Sequence, residues 1–160
     1  MKEESSDFLK YAYEHGRVRD VSEAFKEFPP EEEWHKGEAD LNLKEDDEDY
    51  YRYAIGDIVF VKEFYYANGK KGKNHLFVII AQNNMAVPIE NFGMLISSRI
   101  NKVKYNANKM LKKDKTNNLK KDSIVKTDVI YKICSKQILF KIGSVDEEKI
   151  EEYKKSFYNQ

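Results

Sequence analysis

Residues 70–80 read KKGKNHLFVII, and the apolar part of this stretch decides the fold. The run continues as HLFVIIAQ to residue 82. A short, unbroken apolar run between polar flanks predicts a strand that is buried on both faces. A lysine-rich loop containing a glycine leads into it. Asn74 and His75 therefore stand at a junction that is either the edge of an active site or a solvated turn before a buried strand.

Other segments of β-type composition predict further strands on both sides of this one. They are GDIVFVKEFYY from residue 56, MAVPIE from 85, GMLISSRI from 93, DSIVKTDVIYKI from 122 and QILFKIG from 137. The basic, polar stretch 101–121 predicts a long loop or a frayed helix. A closing helix follows Asp146, which is placed to cap it. Short, closely spaced strands with one terminal helix predict a mainly β fold, a small and strongly curved barrel.

The first 50 residues differ in character. Apolar residues at helical spacing predict short amphipathic helices in SSDFLKYAYEHG and VSEAFKEFPP, and a third short helix reaches Trp34. The acidic run from Glu45 to Asp49 has no apolar periodicity and predicts a flexible linker. We therefore divide the chain into a helical arm at 1–35, an acidic linker at 36–52 and a barrel domain at 53–160.

Charge is distributed unequally along the chain, although the formal net charge is zero. Residues 1–50 hold 17 acidic and 7 basic residues, a net charge of −10. Residues 51–160 hold 21 basic and 11 acidic residues, a net charge of +10. A basic body attracts polyanions, nucleic acid first among them. The alternative is that the two halves neutralise each other for solubility, and composition does not choose between the two.

Several other classes of protein are excluded by composition. The apolar runs are too short to span a bilayer, and the start MKEESSDFLK lacks the basic and apolar parts of a secretory signal. The single cysteine, Cys134, has no partner for an internal disulfide, and no Cys/His cluster indicates zinc. We expect a cytoplasmic protein that needs no membrane, no metal and no other cofactor.

Five motifs stand in a fixed order over about residues 55–158. They are G-D-I-V at 56–59, the lysine loop 70–73 before the apolar strand 76–80, L-I-S-S at 95–98, D-S-I-V at 122–125, and K-Q-I through K-I-G at 136–143 before the closing helix. This order resembles the MazF/PemK family of toxins from type II toxin–antitoxin systems. Each motif is short, and the match becomes specific because the order is kept over roughly two-thirds of the chain.

The resemblance implies an SH3-like barrel of the MazF, PemK and CcdB type with a C-terminal helix. It also implies a homodimer that cleaves single-stranded RNA without metal, leaving a 2′,3′-cyclic phosphate and a free 5′-hydroxyl. Such cleavage needs a base for the 2′-hydroxyl proton, positive charge at the non-bridging oxygens and an acid at the leaving oxygen. The implied protein partner is an antitoxin.

The family commonly carries an arginine at the start of its second strand, and Asn74 stands at that position here. Asparagine can neither supply a cation nor transfer a proton. His75 beside it can act as base or acid near neutral pH, and the alternative is a polar strand-entry residue that faces solvent. With Asn74, we predict that Lys70, Lys71 and Lys73 bind the RNA.

Ser97 stands where the family carries a threonine or serine at a strand end. Its hydroxyl is predicted to bond a phosphate oxygen, and the alternative is a strand-end hydroxyl that satisfies nearby backbone. Strand alternation would place Arg99 on the same face, where it could supply the missing guanidinium; the alternative is an arginine that faces water without a function. His75, Ser97 and Arg99 form the predicted catalytic set.

Eight lysines lie in the stretch 101–121, and Lys126 follows just beyond. Lys102 and Lys104 are the predicted RNA contacts among them. The interleaved Tyr105, Asn106, Asn108, Asn117 and Asn118 could stack on or bond to bases. The alternative is a solvated basic loop.

Residues 1–50 resemble the acidic, apolar-dotted segments with which antitoxins cover their toxins. We therefore hypothesise an antitoxin-like or autoinhibitory arm that docks on the basic face of the same chain. Two rival functions stand beside the ribonuclease. One is a catalytically degenerate barrel that binds RNA or a protein without cleavage, and the other is a poison that acts on another cellular enzyme through its surface.

Overall fold

The computed structural model describes residues 5–21, 53–62, 75–86 and 89–160. The predicted helix of VSEAFKEFPP beyond Val21, the helix at Trp34 and the acidic linker at 36–52 lie outside them. In the described part of MAVPIE, Met85 lies in a turn and Glu90 already begins the next strand, so no separate strand forms there.

Two helices and eight strands make up the described chain. In order they are α1 (Ser5–Glu14), β1 (Val18–Asp20), β2 (Asp57–Val61), β3 (His75–Asn83), β4 (Glu90–Ser97), a 3₁₀ helix (Ile100–Lys104), β5 (Asn108–Leu111), β6 (Ser123–Lys126), β7 (Ile130–Cys134), a second 3₁₀ helix (Ser135–Gln137), β8 (Ile138–Ser144) and α2 (Glu147–Tyr158). The predicted mainly β fold with an N-terminal and a C-terminal helix is confirmed.

All eight strands join one sheet, in the order β1–β7–β4–β3–β2–β8, with β6 paired to both β4 and β5. The central strand β3 is antiparallel to β2 and to β4. The β3–β4 register shifts between Ile79 and Ala81, and the β2–β8 register shifts twice. Such irregularities bend strands, as a small barrel requires.

Side chains from the two faces of the sheet form two buried clusters, because successive residues of a strand point to opposite faces. The helix-side core lies against α1 and α2 and includes Phe8, Ile58, Val78, Ile80, Phe92, Met94, Ile96, Val125, Tyr153 and Phe157. The second core contains Val21, Val59, Val61, Phe77, Ile79, Ile133 and Ile138. Strand β3 contributes to both cores, which confirms the burial on both faces predicted from its unbroken apolar run.

Helix α1 packs into the helix-side core. Phe8 and Ala12 are fully buried, and the Phe8 ring lies 4.9 Å from the ring of Phe157 in α2. The helix ends at Glu14, and Gly16 just after it has a φ of 64°, a left-handed conformation that glycine adopts readily. This part of the predicted arm therefore packs with the sheet and does not form a separate unit.

Strand β1 was not anticipated from the sequence. It pairs in parallel with β7, where Val18 lies opposite Ile130. Arg17, just before β1, makes three contacts at the same junction. Its carbonyl accepts from Ile130 N at 3.0 Å, and its Nε donates to the Asp128 carbonyl at 2.8 Å. Its guanidinium lies 3.6 Å from the centre of the Phe157 ring. Three residues with two charges carry no strand signal, so only the pairing reveals this strand.

Helix α2 begins where the sequence predicted. The Asp146 side chain accepts from Lys149 N at 3.0 Å, and acidic residues occupy the first turn, where they favour the helix dipole. Ile150, Tyr153 and Phe157 follow at helical spacing and are buried. These residues close the helix-side core together with α1.

Three predicted elements differ in the structure. The stretch 101–121 contains a 3₁₀ helix and β5, not a loop or frayed helix alone. The predicted strand DSIVKTDVIYKI is divided into β6 and β7, because the Thr127 hydroxyl turns to the Ala107 carbonyl and to Ser156 Oγ, at 2.6 Å each. The predicted strand GMLISSRI ends early, at Ser97.

Replacing Phe8 by alanine should lower the free energy of unfolding by about 3–5 kcal/mol, because the substitution leaves a cavity between α1 and α2. Urea unfolding of the full chain measures this change in the free energy of unfolding. The matched control is Lys10→Ala on the exposed side of the same helix, which should stay within about 0.5 kcal/mol of the unsubstituted protein. Equal stabilities of the two variants would contradict the packing of α1 described above.

Candidate nucleic-acid interface

One face of the sheet carries two of the three predicted catalytic residues. In β3, Phe77 and Ile79 belong to the second core, so His75 shares their face. In β4, Leu95 packs against the same core, and Ser97 shares its face. We call this side, opposite α1 and α2, the His75 face.

The strand register brings His75 and Ser97 together. Leu76 of β3 pairs with Ile96 of β4, so the next position along the antiparallel ladder sets His75 opposite Ser97. Side chains that lie directly opposite on one face have Cβ atoms about 4.5–5.5 Å apart. Both residues stand at strand ends and are half-buried, so part of each side chain is exposed.

His75 is half-buried at the first position of β3. Its ring lies edge-on to Phe77, with the ring centres 6.4 Å apart, and its backbone pairs with Val61 of β2. A half-buried imidazole beside an aromatic ring has a defined orientation, unlike a strand-entry residue fully surrounded by water.

Ser97 is the last residue of β4, and its Oγ accepts a hydrogen bond from Arg99 N at 3.2 Å. The hydroxyl therefore satisfies local backbone, as the structural alternative predicted. A serine hydroxyl that accepts one bond can still donate its own proton, so the same group can bond a phosphate oxygen.

Arg99 lies outside β4, and the strand alternation invoked for it does not apply. It precedes the 3₁₀ helix Ile100–Lys104, and its side chain is exposed. Its backbone bond to Ser97 nevertheless fixes the chain two residues from the His75 face. The backbone of Arg99 is thus at the border of this face, and its side chain is exposed to solvent.

The 3₁₀ helix presents the two predicted RNA-binding lysines next to that border. Lys102 is half-buried and its carbonyl accepts from Asn108 Nδ2 at 2.8 Å. Lys104 is exposed, and its Nζ lies 5.6 Å from the centre of the Tyr105 ring. Tyr105 is itself 56% exposed, so this segment offers an aromatic ring and cations to solvent.

The other predicted RNA contacts, Lys70, Lys71, Lys73 and Asn74, lie outside the described residues. They directly precede His75 in the sequence.

Lys126 is a cation of this face whose placement sequence reasoning missed. Val125 lies in the helix-side core, so its neighbour Lys126 points to the His75 face, where it is half-buried. Ile124, two residues earlier, pairs with Ser97. The signal was present as alternation in S-I-V-K, which was predicted as part of a strand, but Lys126 was counted with the lysines of the basic loop and its face was not assigned.

Two predicted base contacts have structural roles instead. Asn117 is buried, and its side chain bonds Asp114 N and the Lys112 carbonyl, each at 2.9 Å. The Asn118 side chain donates to the Ile142 carbonyl at 3.0 Å. These amides hold the turn between β5 and β6; Asn117 is buried there, whereas Asn118 remains exposed.

Two other features are absent from the ranges that the structure describes. No group of three or more His, Cys, Asp or Glu side chains there could hold a metal ion. Neither of the two described helices is long and apolar enough to cross a membrane.

Comparison with known families explains this arrangement. The family described as PemK-like, MazF-like toxin of type II toxin–antitoxin system matches residues 54–159. The chain belongs to this toxin family. No curated protein matches the chain significantly.

The match to the PemK-like, MazF-like toxins starts just before β2 and ends with α2. Helix α1 and strand β1 lie outside it, yet they share the helix-side core and the sheet with the matched part. This member of the toxin family therefore has an N-terminal segment built into its body.

A charged cluster on the opposite side of the sheet holds that segment in place. Lys132 Nζ lies 2.6 Å from Glu90 Oε2 and 3.7 Å from Asp20 Oδ2. Burial alone would lower the pKa of Lys132, but the hydrogen bond to Glu90 and the nearby carboxylates raise that pKa above its ordinary value. Burial also raises the pKa of the neighbouring Tyr13 phenol.

Both shifts predict a loss of stability in alkali. A group whose pKa is raised by folding stabilises the protein fully below its unfolded pKa, and this stabilisation is lost as the pH rises through the folded pKa. The free energy of unfolding should therefore fall as the pH rises above about 10. Glu90→Gln weakens the cause of the Lys132 shift and should make that fall smaller, as measured by urea unfolding at a series of pH values. The same pH dependence in both proteins would contradict this cluster.

Proposed function

We propose that this protein is a toxin-like endoribonuclease that cleaves single-stranded RNA without a metal ion. The observation that carries the proposal is the placement of His75 opposite Ser97 on a face bordered by Lys126 and Arg99. Membership of the toxin family supports an RNA substrate and an antitoxin partner in general. The homodimer and the cytoplasmic location stay predictions.

The residues of the His75 face divide the chemistry between them. His75 takes the proton of the 2′-hydroxyl, and the 2′-oxygen then forms a bond to phosphorus while the bond from phosphorus to the 5′-oxygen breaks. The Ser97 hydroxyl donates to a non-bridging oxygen, which gains negative charge in this step. The Lys126 ammonium can give a proton to the leaving 5′-oxygen. The products are a 2′,3′-cyclic phosphate and a 5′-hydroxyl.

Asn74 stands at the position expected for the family's arginine, so other residues must supply the positive charge at the phosphate. Lys126 is half-buried on β6, the strand that pairs with Ser97, and Arg99 is exposed two residues after Ser97. A half-buried cation acts more strongly on a phosphate than one in bulk water, because the surrounding dielectric constant is lower. Lys126 therefore supplies the central charge, and Arg99 with Lys102 and Lys104 attracts the rest of the strand.

Incubation of the full chain with single-stranded RNA in EDTA tests this function. Products with cyclic-phosphate and 5′-hydroxyl ends support the proposal. RNA that is retained but uncut would instead favour the degenerate binding barrel, and neither retention nor cleavage would favour a protein target. His75→Ala, Ser97→Ala and Arg99→Ala then test the three roles singly, with the largest loss, of the order of 10²-fold, expected for His75.

Lys126→Met should weaken RNA binding and cleavage together, because it keeps the apolar stem and removes the charge. Loss of one contacted phosphate lowers the slope of log affinity against log salt by about 0.7. Lys109→Met is the matched control: Lys109 is also half-buried in the β5–β6 hairpin, but it pairs with Val125 and so points to the helix side. Equal losses in the two variants would remove Lys126 from the mechanism.

We further propose that the acidic segment 22–52 restrains this activity. It contains 12 acidic and 4 basic residues. The residues that flank it, Val21 and Tyr53, both pack against the second core, so the segment leaves and rejoins the body beside the His75 face. A tethered segment has an effective concentration on the order of millimolar, so even weak attraction to lysines is effective. Because α1 packs on the opposite side, this role is assigned to 22–52 and not to the whole arm.

Neutralising three acidic residues of the segment, by Glu45→Gln, Asp46→Asn and Asp47→Asn, should raise RNA affinity and the cleavage rate. The control neutralises three exposed acidic residues of α2, by Glu148→Gln, Glu151→Gln and Glu152→Gln. Both variants gain the same charge, so a general electrostatic effect raises affinity equally in each. A larger gain in the first variant supports restraint, and an equal gain refutes it.

A further inference from the structure

Strand β1 extends the His75 face at the far edge of the sheet. Val18 packs against the helix-side core and Val21 belongs to the second core, so Arg19 points to the side of the second core. The parallel register pairs Arg19 with Tyr131 of β7. These two side chains therefore stand next to each other on the face that carries His75 and Ser97.

The Arg19 guanidinium is exposed and oriented. Its Nη1 donates to the Gly16 carbonyl at 3.1 Å, which uses one of the five donors of the group. A planar guanidinium held in this way presents a fork that matches the oxygens of a phosphate.

The carboxylate next to Arg19 in the sequence lies on the other face. Asp20 pairs in register with Lys132 and lies 3.7 Å from its ammonium, on the side of Glu90 and α1. Alternation along β1 thus separates the two charges of opposite sign. The positive charge, that of Arg19, lies at the edge of the His75 face.

Aromatic rings connect this edge with the centre of the face. The His75 and Phe77 ring centres are 6.4 Å apart, and those of Phe77 and Tyr131 are 5.4 Å apart. Gly93 lies between the strands of Phe77 and Tyr131, and a Cβ there would stand 3.0 Å from the Phe77 Cβ. The glycine therefore permits the two rings to meet, and the line continues from Tyr131 to Arg19.

We propose that Arg19 binds a second phosphate of the RNA strand whose cleavage site lies at His75 and Ser97. This rests on the function proposed above. Strand geometry, with about 3.3 Å per residue and about 4.8 Å between strands, puts Arg19 on the order of 15 Å from Ser97. One phosphodiester group cannot occupy both places. The preferred substrate is therefore an oligonucleotide long enough to cross the sheet, and the N-terminal segment takes part in binding it.

The experiment compares RNA of two lengths with the full chain and its Arg19→Met variant. Cleavage of mixed-sequence dinucleotides and mixed-sequence octanucleotides gives kcat/KM for each length. A 2′-deoxy octanucleotide, which lacks the attacking hydroxyl, gives affinity and its dependence on salt. Lys10→Met is the control, since Lys10 is an exposed cation of the same N-terminal segment and lies on the helix side. Thermal unfolding of each variant verifies that the fold is kept.

Arg19→Met should lower octanucleotide affinity and kcat/KM about tenfold, the effect of roughly one charged contact, and should reduce the salt slope by about 0.7. Dinucleotide cleavage and the Lys10→Met protein should stay unchanged. An unchanged octanucleotide affinity, or an equal loss for both lengths, overturns the role of Arg19 while the ribonuclease stands. A wild-type chain that neither binds nor cuts RNA overturns the proposed function, and this inference with it.

Discussion

Burial of β3 on both faces is the constraint on which the rest of the structure depends. Val78 and Ile80 enter the helix-side core, while Phe77 and Ile79 enter the second core. A slip of one residue against β4 would exchange these sets, so the register is strongly specified. Since His75 begins this strand, the packing of the interior also decides that it stands opposite Ser97. The chemistry of the site follows from the packing of the core.

The two faces of the sheet differ in the residues that they carry. The side of α1 and α2 buries aromatic rings and the Lys132 ion pairs, and it is concerned with stability. The opposite side carries His75, Ser97 and Lys126, and Val21 and Tyr53 pack against the second core on this same side. The N-terminal region consequently has two parts that differ in character. Residues 5–21 complete the body, whereas 22–52 carry charge opposite to that of the strands.

Sequence reasoning succeeded where one local signal sufficed. The unbroken apolar run gave β3, the spacing of Phe8, Leu9 and Ala12 gave α1, and Asp146 gave the start of α2. It failed where the structure of a segment depends on residues that are distant in the sequence. The strand β1 exists only because β7 pairs with it, and the division of β6 from β7 depends on a hydroxyl contact with α2. Motif order singled out His75 and Ser97, which the structure places on one face, but the orientation of Lys126 and the exclusion of Arg99 from β4 follow only from the strand register and the end of β4.

The parallel ladder of β1 and β7 also has a consequence for biosynthesis. It pairs Val18 with Ile130, and Phe8 of α1 likewise packs against Phe157 of α2, which is far away in the sequence. Contacts so distant in sequence form late, because a long loop must close first. On the ribosome, the acidic segment 22–52 is synthesised before the lysine-rich strands have been translated. Residues 5–21 therefore reach their place in the fold only after β7 and α2 have been translated, so a message interrupted before the codons of α2 yields a product without a complete fold.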